Sequence, residues 1–353
     1  MALVMLNSTT KRGNSFLLRV AIGIGVGVLS AFLLTQSFAQ GGAKIQQQHL
    51  FQRDSITILI TDSGLGGLSV CAELEKRLES YRAFRQVRLI FVNALPDASQ
   101  PYNGMQNKQE QLRVFDDVLT GLNAGFHPDV ILIACNTLSV LFPETRFAQS
   151  ATIPVKSIVE AGARVLAEKV RKNNNSQVII FGTETTIRSG AYQRLLMAAG
   201  VSKDRITVQA CHLLESEIQT NPTSDIVSNL IDMYTSEALE KTTNKGMSAY
   251  IAGLCCSHYG YSSNMFQQTL KRQLGSDCDL VNPNESMVDS FFESRPIRIW
   301  ESTAISVEVV SCVRFSPEEV SSISTAVEPV SHKTAVALQG YRFDKNLFSF
   351  KTK

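Results

Sequence analysis

Two short motifs in the sequence place a cysteine next to two polar residues. Cys135-Asn136-Thr137 follows one apolar run, and Cys256-Ser257-His258 follows another further along the chain. A thiolate is a competent base when nearby groups lower its pKa, and a thiol is an acid of similar strength. Two such groups on opposite faces of one carbon atom can remove a proton from one face and return a proton to the other. Such a pair can invert the configuration of that carbon without a cofactor.

Structural roles compete for the same residues. A free cysteine at the end of an apolar strand is often simply a buried hydrophobic residue. Cys255 lies next to Cys256, so one of the two can serve packing alone. The polar residues that follow Cys135 and Cys256 favour the chemical role for these two and leave Cys255 as structural. His258 is either a satisfied core histidine or an assistant to proton transfer.

Two further polar loops also follow apolar runs. Asp62-Ser63-Gly64 follows the first run, and the loop 182–186 (GTETT) follows a later one. Asp62 either caps the next helix, a frequent role of Asp at such a position, or takes part in proton transfer. The glycine-rich stretch 64–67 does not have the GxGxxG spacing of a dinucleotide-binding loop, and no acidic residue closes a second strand about 20 residues later.

The elements that carry these loops are short β-branched runs that alternate with segments of helical period. The predicted strands are 56–60, 87–92, 130–134, 178–181 and 249–252, and the predicted helices are 69–78, 106–122, 188–199 and 225–240. This alternation indicates an α/β fold with mainly parallel sheets flanked by helices. In such sheets, ligands bind outside the carboxyl ends of the strands. Two pseudo-symmetric domains facing each other would put one cysteine on either side of a shared cleft.

Composition excludes several classes of protein. The chain has 353 residues, of which 44% are hydrophobic and 19% charged, so it can bury a sizeable core and is not a disordered or collagen-like chain. Its 34 basic and 32 acidic residues are too balanced to suggest a nucleic-acid partner. No Schiff-base lysine motif or metal-ligand cluster points to pyridoxal phosphate or to a metal. We therefore expect a small-molecule substrate and no cofactor.

The N-terminus has the layout of a secretory signal. A polar stretch ending in Lys11, Arg12 and Arg19 precedes an uncharged apolar run over 20–34. Small residues at Ser37 and Ala39 fit a cleavage site, so residues 1–39 are expected to direct export, to the periplasm, and to be removed. An uncleaved inner-membrane anchor is the alternative, although the run is short for a bilayer span of about 20 residues. Any membrane contact is expected only through this segment.

Seven cysteines are an odd set for an exported chain. They lie at positions 71, 135, 211, 255, 256, 278 and 312, with neither the close regular spacing of a disulfide framework nor a CxxC pair of the kind that holds zinc. At least one must be unpaired within the monomer. Most are expected to be buried, inert thiols.

Taken together, the motifs of this chain resemble those of a known family, the cofactor-independent aspartate/glutamate racemases, and most closely those of its glutamate-specific members. Six segments in the family's order carry the resemblance: the loop 61–70 (TDSGLGGLSV), 101–104 (PYNG), 133–137 (IACNT), 153–155 (IPV) with Glu160, 182–186 (GTETT) with Ser189 and Tyr192, and 256–259 (CSHY). Each motif is weak alone, but six in order over about 56–262 are specific.

The resemblance implies both an activity and its residues. It implies racemisation of L- and D-glutamate, or of a related amino acid, with Cys135 and Cys256 as the two acid/bases, Asp62 assisting the first and His258 the second. Cys135 would serve the D-enantiomer and Cys256 the L-enantiomer. The residues expected to bind substrate are Ser63, Pro101, Tyr102, Asn136, Thr137, Thr183, Thr186 and Ser257. The alternatives are an aspartate or broad-specificity racemase, and an exported amino-acid-binding protein that has lost turnover.

The chain departs from the family pattern in a segment that matters for the second cysteine. The family's ACPxFxPLVE motif ends in a glutamate that assists this half of the site, and a gapless alignment puts Gln219 there. Glu215 or Glu217 would replace it after a small shift.

The expected domain organisation is discontinuous. A first racemase domain is expected over 40–157 and 280–353, completed by the C-terminal part of the chain, and a second over 158–279. Residues after about 295 extend beyond the resemblance and are interpreted as added structure on the first domain. A homodimer remains open.

Overall fold

Ten strands alternate with helices in a computed structural model that describes residues 49–242, 249–294 and 296–348. The expected signal segment, 1–39, lies outside these residues. The strands are β1 (Ser55–Asp62), β2 (Gln86–Asn93), β3 (Val130–Ile133), β4 (Val155–Ser157), β5 (Ser176–Gly182), β6 (Ile206–Ala210), β7 (Ala249–Cys255), β8 (Cys278–Val281), β9 (Ala304–Ser311) and β10 (Arg342–Phe343).

The strands form two parallel sheets within one compact unit that begins at Leu50. The first has six strands in the order β10-β9-β2-β1-β3-β4, and the second has four in the order β6-β5-β7-β8. Every pairing is parallel. The predicted α/β class with mainly parallel sheets is therefore confirmed. Strands of the first sheet come from 55–157 and 304–343, and those of the second from 176–281.

The central strands are buried on both faces, which explains their continuous apolar sequence. Ile58, Leu59 and Ile60 of β1 are all 0% exposed although their side chains alternate between the two faces. Parallel strands covered by helices on both sides have this pattern. The five predicted strands are all present, whereas β4, β6, β8, β9 and β10 were not predicted.

Thirteen α-helices flank the sheets in the described part of the chain. They are α1 (Leu68–Tyr81), α2 (Lys108–Phe126), α3 (Asn136–Leu141), α4 (Arg146–Ser150), α5 (Ile158–Lys172), α6 (Glu184–Ser189), α7 (Ala191–Ala198), α8 (Leu214–Thr220), α9 (Asp225–Lys241), α10 (Ser263–Leu274), α11 (Pro283–Phe291), α12 (Pro317–Val327) and α13 (His332–Gln339). None of these described helices is long and apolar enough to cross a membrane.

One predicted helix is divided in two. The sequence pattern over 188–199 predicts a single helix, but α6 ends at Ser189 and α7 begins at Ala191. Gly190 between them has a φ of +64°, a left-handed conformation that glycine adopts without steric cost and that ends a helix. The prediction of one helix is therefore wrong at this point.

The C-terminal part of the chain joins the first sheet and then reaches toward the second. β9 pairs with β2 along its whole length, from Gln86 opposite Ala304 to Asn93 opposite Ser311. α12 begins with a capping box formed by Ser316 and Glu319. This helix packs against α8, which follows the second sheet's strand β6. The segment after 295 therefore adds to the first sheet and also covers a helix of the other half.

Candidate active site

A cavity of about 320 Å³ lies beyond the carboxyl ends of strands from both sheets. Asp62 ends β1, Cys135 follows β3, Thr183 follows β5 and Cys256 follows β7. Eleven of the twelve residues predicted from the sequence line this cavity: Asp62, Ser63, Pro101, Tyr102, Cys135, Asn136, Thr137, Thr183, Cys256, Ser257 and His258. The twelfth, Thr186, lies behind Thr183, whose hydroxyl donates to the Thr186 hydroxyl at 3.0 Å. The fold thus gathers residues that are up to about two hundred positions apart.

Cys135 lies at the first-sheet side of the cavity, at the N-cap of α3. Its Sγ is 3.2 Å from Ser63 Oγ and accepts a hydrogen bond from the Leu138 N–H at 3.5 Å. Burial, and then the charge of Asp62, raise the pKa of this thiol to about 12, while the two hydrogen bonds lower it in part. Cys135 is therefore held as the thiol, ready to act as an acid.

Asp62 is the neighbouring carboxyl group, 1% exposed at the end of β1. Burial raises its pKa to about 6. Ser257 and Cys135 lie near enough to lower the pKa in part, but neither carboxylate oxygen meets hydrogen-bond geometry with any described residue. Buried acceptors are normally satisfied. Asp62 is therefore poised to accept a donor that enters the cavity, or a proton from Cys135.

Cys256 lies at the second-sheet side, directly after β7. Its Sγ is 3.8 Å from Nδ1 of His258. Burial, and then the charge of Glu215, raise the pKa of the Cys256 thiol well above its ordinary value. Burial lowers the pKa of His258 to about 4, so the imidazole is neutral near neutral pH. A neutral imidazole next to a thiol can accept its proton.

The glycine-rich loop after β1 is shaped by the second half of the site. A Cβ atom at Gly64 would lie 2.8 Å from Gln219 Oε1 and 3.0 Å from His258 Cε1. A Cβ at Gly66 would lie 2.7 Å from the backbone nitrogen of His258, which cannot move aside as a side chain can. Gly66 is therefore required by the close approach of the loop to the residues around Cys256, whereas a Cβ at Gly64 would displace the side chains of Gln219 and His258.

A network of polar side chains holds the middle of the cavity. The Tyr192 hydroxyl donates to Asn136 Oδ1 at 2.7 Å, which leaves Asn136 Nδ2 buried without a partner among the described residues. The Thr137 and Thr183 hydroxyls, one from each half, are 2.9 Å apart. The unused Asn136 amide is thus oriented by the protein and free to donate to a carboxylate in the cavity.

Sequence reasoning missed several residues that line the cavity. They are Gly64, Asn93, Leu95, Ala98, Asn103, Ser216, Thr220 and, from the C-terminal segment, Val313, Arg314, Phe315 and Glu319. Of the three candidates near the departure from the family motif, Gln219 and Glu215 line the cavity, and Gln219 contacts His258 at 2.9 Å. Asn103, in the PYNG segment, donates to Glu215 at 3.1 Å. Both residues were visible in the sequence, but their contact was not.

A larger groove of about 1100 Å³ lies elsewhere on the same unit. It is lined by residues of α1, α11 and α12, among them Arg77, Asn284 and Ser321, and by neither Cys135 nor Cys256. The smaller cavity is therefore the candidate active site, because it contains the groups that can move protons.

Comparison with known proteins agrees with this fold. The family model described as Asp/Glu/Hydantoin racemase matches residues 58–249. A glutamate racemase from Aquifex pyrophilus is 28% identical over 229 residues, covering 65% of this chain and 79% of the relative. One from Oceanobacillus iheyensis is 28% identical over 234 residues, covering 65% of this chain and 75% of the relative.

Solved structures show the same architecture. A glutamate racemase isoform from Bacillus anthracis superposes with a TM-score of 0.58 at 20% identity, covering 82% of this chain and 96% of that one. A Francisella tularensis glutamate racemase, solved in complex with D-glutamate, gives a TM-score of 0.58 at 19% identity, covering 78% of this chain and 94% of that one. The fold is that of the glutamate racemases.

The fold and the matched segment together define the class as racemases that work on amino acids. Because the family model matches more than half of the chain, the protein belongs to the Asp/Glu/Hydantoin racemase family. It is accordingly an isomerase, an amino-acid racemase, and the resemblance stated from its motifs is confirmed.

Proposed function

We propose that this protein interconverts the L- and D-forms of glutamate, or of a closely related amino acid, by moving the α-proton between Cys135 and Cys256. One observation carries the proposal. The two thiols, one after a strand of each sheet, line a single cavity of about 320 Å³. That volume is at the small end of ligand pockets and suits a free amino acid.

The proton balance follows from two groups on opposite faces of one carbon. One cysteine, as thiolate, takes the α-proton, and the other, as thiol, donates a proton to the opposite face. The enzyme is left with the thiolate on the second cysteine, so each turnover in one direction prepares the reverse. No pyridoxal phosphate or metal is invoked in this scheme.

The cavity offers groups for each charge of the substrate. Both buried thiols have raised pKa values, so forming a thiolate is costly. The substrate ammonium would reduce this cost, and Asp62 is an unpaired carboxyl group suited to meet it. Negative charge that builds on the substrate carboxylate would be met by the free Asn136 amide.

The side chain of the substrate is the open part of the proposal. Glu215 and Arg314 both line the cavity, so the pocket carries charged groups of both signs. The similarity of this chain to relatives that are glutamate racemases favours an acidic substrate. Aspartate or a broader set of amino acids is the nearest alternative.

The test is a panel of single enantiomers incubated with the chain that starts at Gln40. Conversion is measured by chiral chromatography, and α-proton exchange is measured by NMR in deuterated water. The proposal expects conversion of glutamate in both directions without added cofactor, and the double variant Cys135→Ser, Cys256→Ser is the matched control. Binding without exchange or conversion of any amino acid would show an amino-acid-binding protein instead.

The location of the protein is a second part of the proposal. Residues 1–39 are proposed to direct export to the periplasm, on the strength of their charge and apolar pattern alone. Fractionation of cells that express the full chain, with mass spectrometry of the N-terminus, tests this. A mature N-terminus at Gln40 supports cleavage, and an intact N-terminus in the membrane fraction supports the anchor.

A further inference from the structure

The side-chain amide of Gln219 makes three hydrogen bonds at the edge of the active-site cavity. Its Oε1 accepts from the Leu65 N–H at 2.8 Å and lies 2.9 Å from Nε2 of His258. Its Nε2 donates to Oε1 of Glu319 at 2.5 Å. Gln219 therefore connects the catalytic histidine of the proposed mechanism to a carboxylate from the C-terminal helix α12.

These neighbours fix which way the amide points. A backbone N–H can only donate, so Leu65 requires the amide oxygen. The Glu319 carboxylate accepts, so it requires the amide nitrogen. The reversed amide would set its NH₂ against the Leu65 N–H and its oxygen against the Glu319 carboxylate. Both contacts would then be repulsive, and the orientation with Oε1 toward His258 is the only satisfied one.

The amide orientation in turn fixes the proton on His258. An amide oxygen cannot donate, so the short contact to Gln219 requires a hydrogen on Nε2 of the imidazole. Because burial lowers the pKa of His258 to about 4, the ring carries one proton near neutral pH. Nδ1 is then left with a free lone pair, and this is the nitrogen that lies 3.8 Å from Cys256 Sγ.

We propose that Gln219, held by Glu319, is a positioning residue that keeps His258 in the Nε2–H tautomer, so that Nδ1 can accept the proton of the Cys256 thiol. The transfer leaves a thiolate on Cys256 and an imidazolium on His258, and the same proton returns when Cys256 acts as an acid. This inference rests on the proposed function only for the catalytic use of the tautomer, not for the tautomer itself.

Glu319 is supplied by a part of the chain outside the segment that matches the family, 58–249. Its second oxygen accepts from the Ser316 N–H at 2.8 Å, so the capping box of α12 fixes the carboxylate on its own helix. α12 packs against α8, which carries Gln219. The C-terminal extension thus supplies a carboxylate at the position where Gln219 needs an acceptor.

The tautomer is read directly from the nitrogen chemical shifts of ¹⁵N-labelled histidine, which distinguish protonated from unprotonated ring nitrogens. His258 is assigned from the signal that disappears in His258→Asn. We expect protonated Nε2 and unprotonated Nδ1 in the wild-type chain. Gln219→Met, which has similar length but no hydrogen-bonding groups, should produce a mixture of tautomers.

Matched variants separate the role of Glu319 from the stability of its helix. Glu319→Ala should loosen the amide and introduce some of the other tautomer. Ser316→Ala removes the hydroxyl that caps the Glu319 N–H at 3.1 Å but leaves the carboxylate, and Glu318→Ala changes the exposed neighbour on the same helix. Both controls should leave the His258 signals unchanged.

The catalytic consequence is directional. Groups that orient metal-binding histidines are typically worth about 10–100-fold. We expect an effect of similar size here, so Glu319→Ala and Gln219→Met should slow α-proton exchange from the L-enantiomer by about that factor and affect the D-enantiomer less. A protonated Nδ1 in the wild-type chain, or unchanged tautomers in Gln219→Met, would overturn the inference whatever the activity. Absence of racemisation with the expected tautomers would instead count against the proposed function.

Discussion

Nδ1 of His258 lies 3.8 Å from Sγ of Cys256, and the opposite thiol has no such neighbour among the described residues. Cys135 instead contacts the Ser63 hydroxyl at 3.2 Å and lies in the field of the Asp62 carboxylate. The two thiols therefore have chemically different assistants, an imidazole on one side and a carboxyl group on the other. A symmetric reaction would be carried out by an asymmetric pair.

This asymmetry predicts that the assistants affect opposite directions of the reaction. His258→Asn should slow α-proton exchange from the L-enantiomer, and Asp62→Asn should slow exchange from the D-enantiomer, each by about 10²–10⁴-fold as is typical of general acid/base groups. Exchange of each pure enantiomer in deuterated water, followed by NMR, measures both. Equal losses in both directions from either variant would contradict separate roles.

The second prediction concerns the cysteines themselves. Cys135→Ser and Cys256→Ser should abolish racemisation, because an alcohol at its ordinary pKa cannot serve as the base. Each single variant should still exchange the α-proton of one enantiomer, with opposite preference. Chiral chromatography and deuterium exchange measure the two properties separately.

Cys255→Ala is the matched control for this experiment. Cys255 is 0% exposed and adjacent to Cys256, but it does not line the active-site cavity. Its replacement should keep most of the turnover and lower stability modestly, by about 1 kcal/mol for a small buried side chain. If Cys255→Ala were inactive and Cys256→Ala active, the acid/base of the second motif would be Cys255 and not Cys256.

The sequence predicted the ends of strands well and the packing between distant segments poorly. Asp62, Cys135 and Cys256 were found because each directly follows an apolar run, and parallel sheets bring such ends together. Glu319 gave no comparable signal. Its role depends on the packing of α12 against α8, which brings Glu319 to Gln219. These two residues are 100 positions apart in the chain, so no local sequence pattern encodes their contact.

The same contrast explains the errors in the helices and short strands. The pattern over 188–199 is helical throughout, and only the conformation of Gly190 divides it. β4 has three residues, too few for a period of two to appear. Length alone does not decide the outcome, because the 15-residue helix α5 and the eight-residue strand β9 were not predicted either.

The third prediction is that the Asp62 carboxyl group costs stability at neutral pH. Its pKa is raised from 3.8 to about 6 by burial, so the unfolded chain ionises before the folded one as pH rises. The destabilisation is absent below pH 3.8, grows between 3.8 and about 6, and is then constant at about 3 kcal/mol. Asp62→Asn should therefore be more stable than the wild-type chain above pH 6 and nearly equal to it near pH 4. Denaturant unfolding at a series of pH values measures the difference, and a less stable Asp62→Asn at pH 7 would contradict it.

The fourth prediction concerns Glu215, whose charge raises the pKa of the Cys256 thiol after the larger effect of burial. Glu215→Gln removes this charge, so the pKa of Cys256 should fall and its alkylation by iodoacetamide at a fixed pH should become faster. Glu217→Gln is the matched control, because Glu217 is on the same helix but does not line the cavity. The rates are measured by mass spectrometry of the peptide that contains Cys256. Equal acceleration in the two variants would show a general effect of charge rather than contact with the site.

The last prediction follows from combining a proposed export signal with thiol catalysis. All seven cysteines are free in the structure, and Cys135 and Cys256 are 4% and 5% exposed. An accessible thiolate is prone to oxidation in an oxidising compartment, whereas these two are buried and have raised pKa values that keep them as thiols. Protein recovered from the exported fraction should therefore contain Cys135 and Cys256 in the reduced form, and substrate should slow their alkylation by filling the cavity.

Differential thiol labelling with mass spectrometry measures both the redox state and the alkylation rate of these two cysteines, with buried Cys71 as an internal reference that substrate leaves unchanged. A stoichiometric disulfide at Cys135 or Cys256 in active protein would contradict this protection, and protein found in the cytoplasm with residues 1–39 intact would remove the oxidising environment on which the prediction depends.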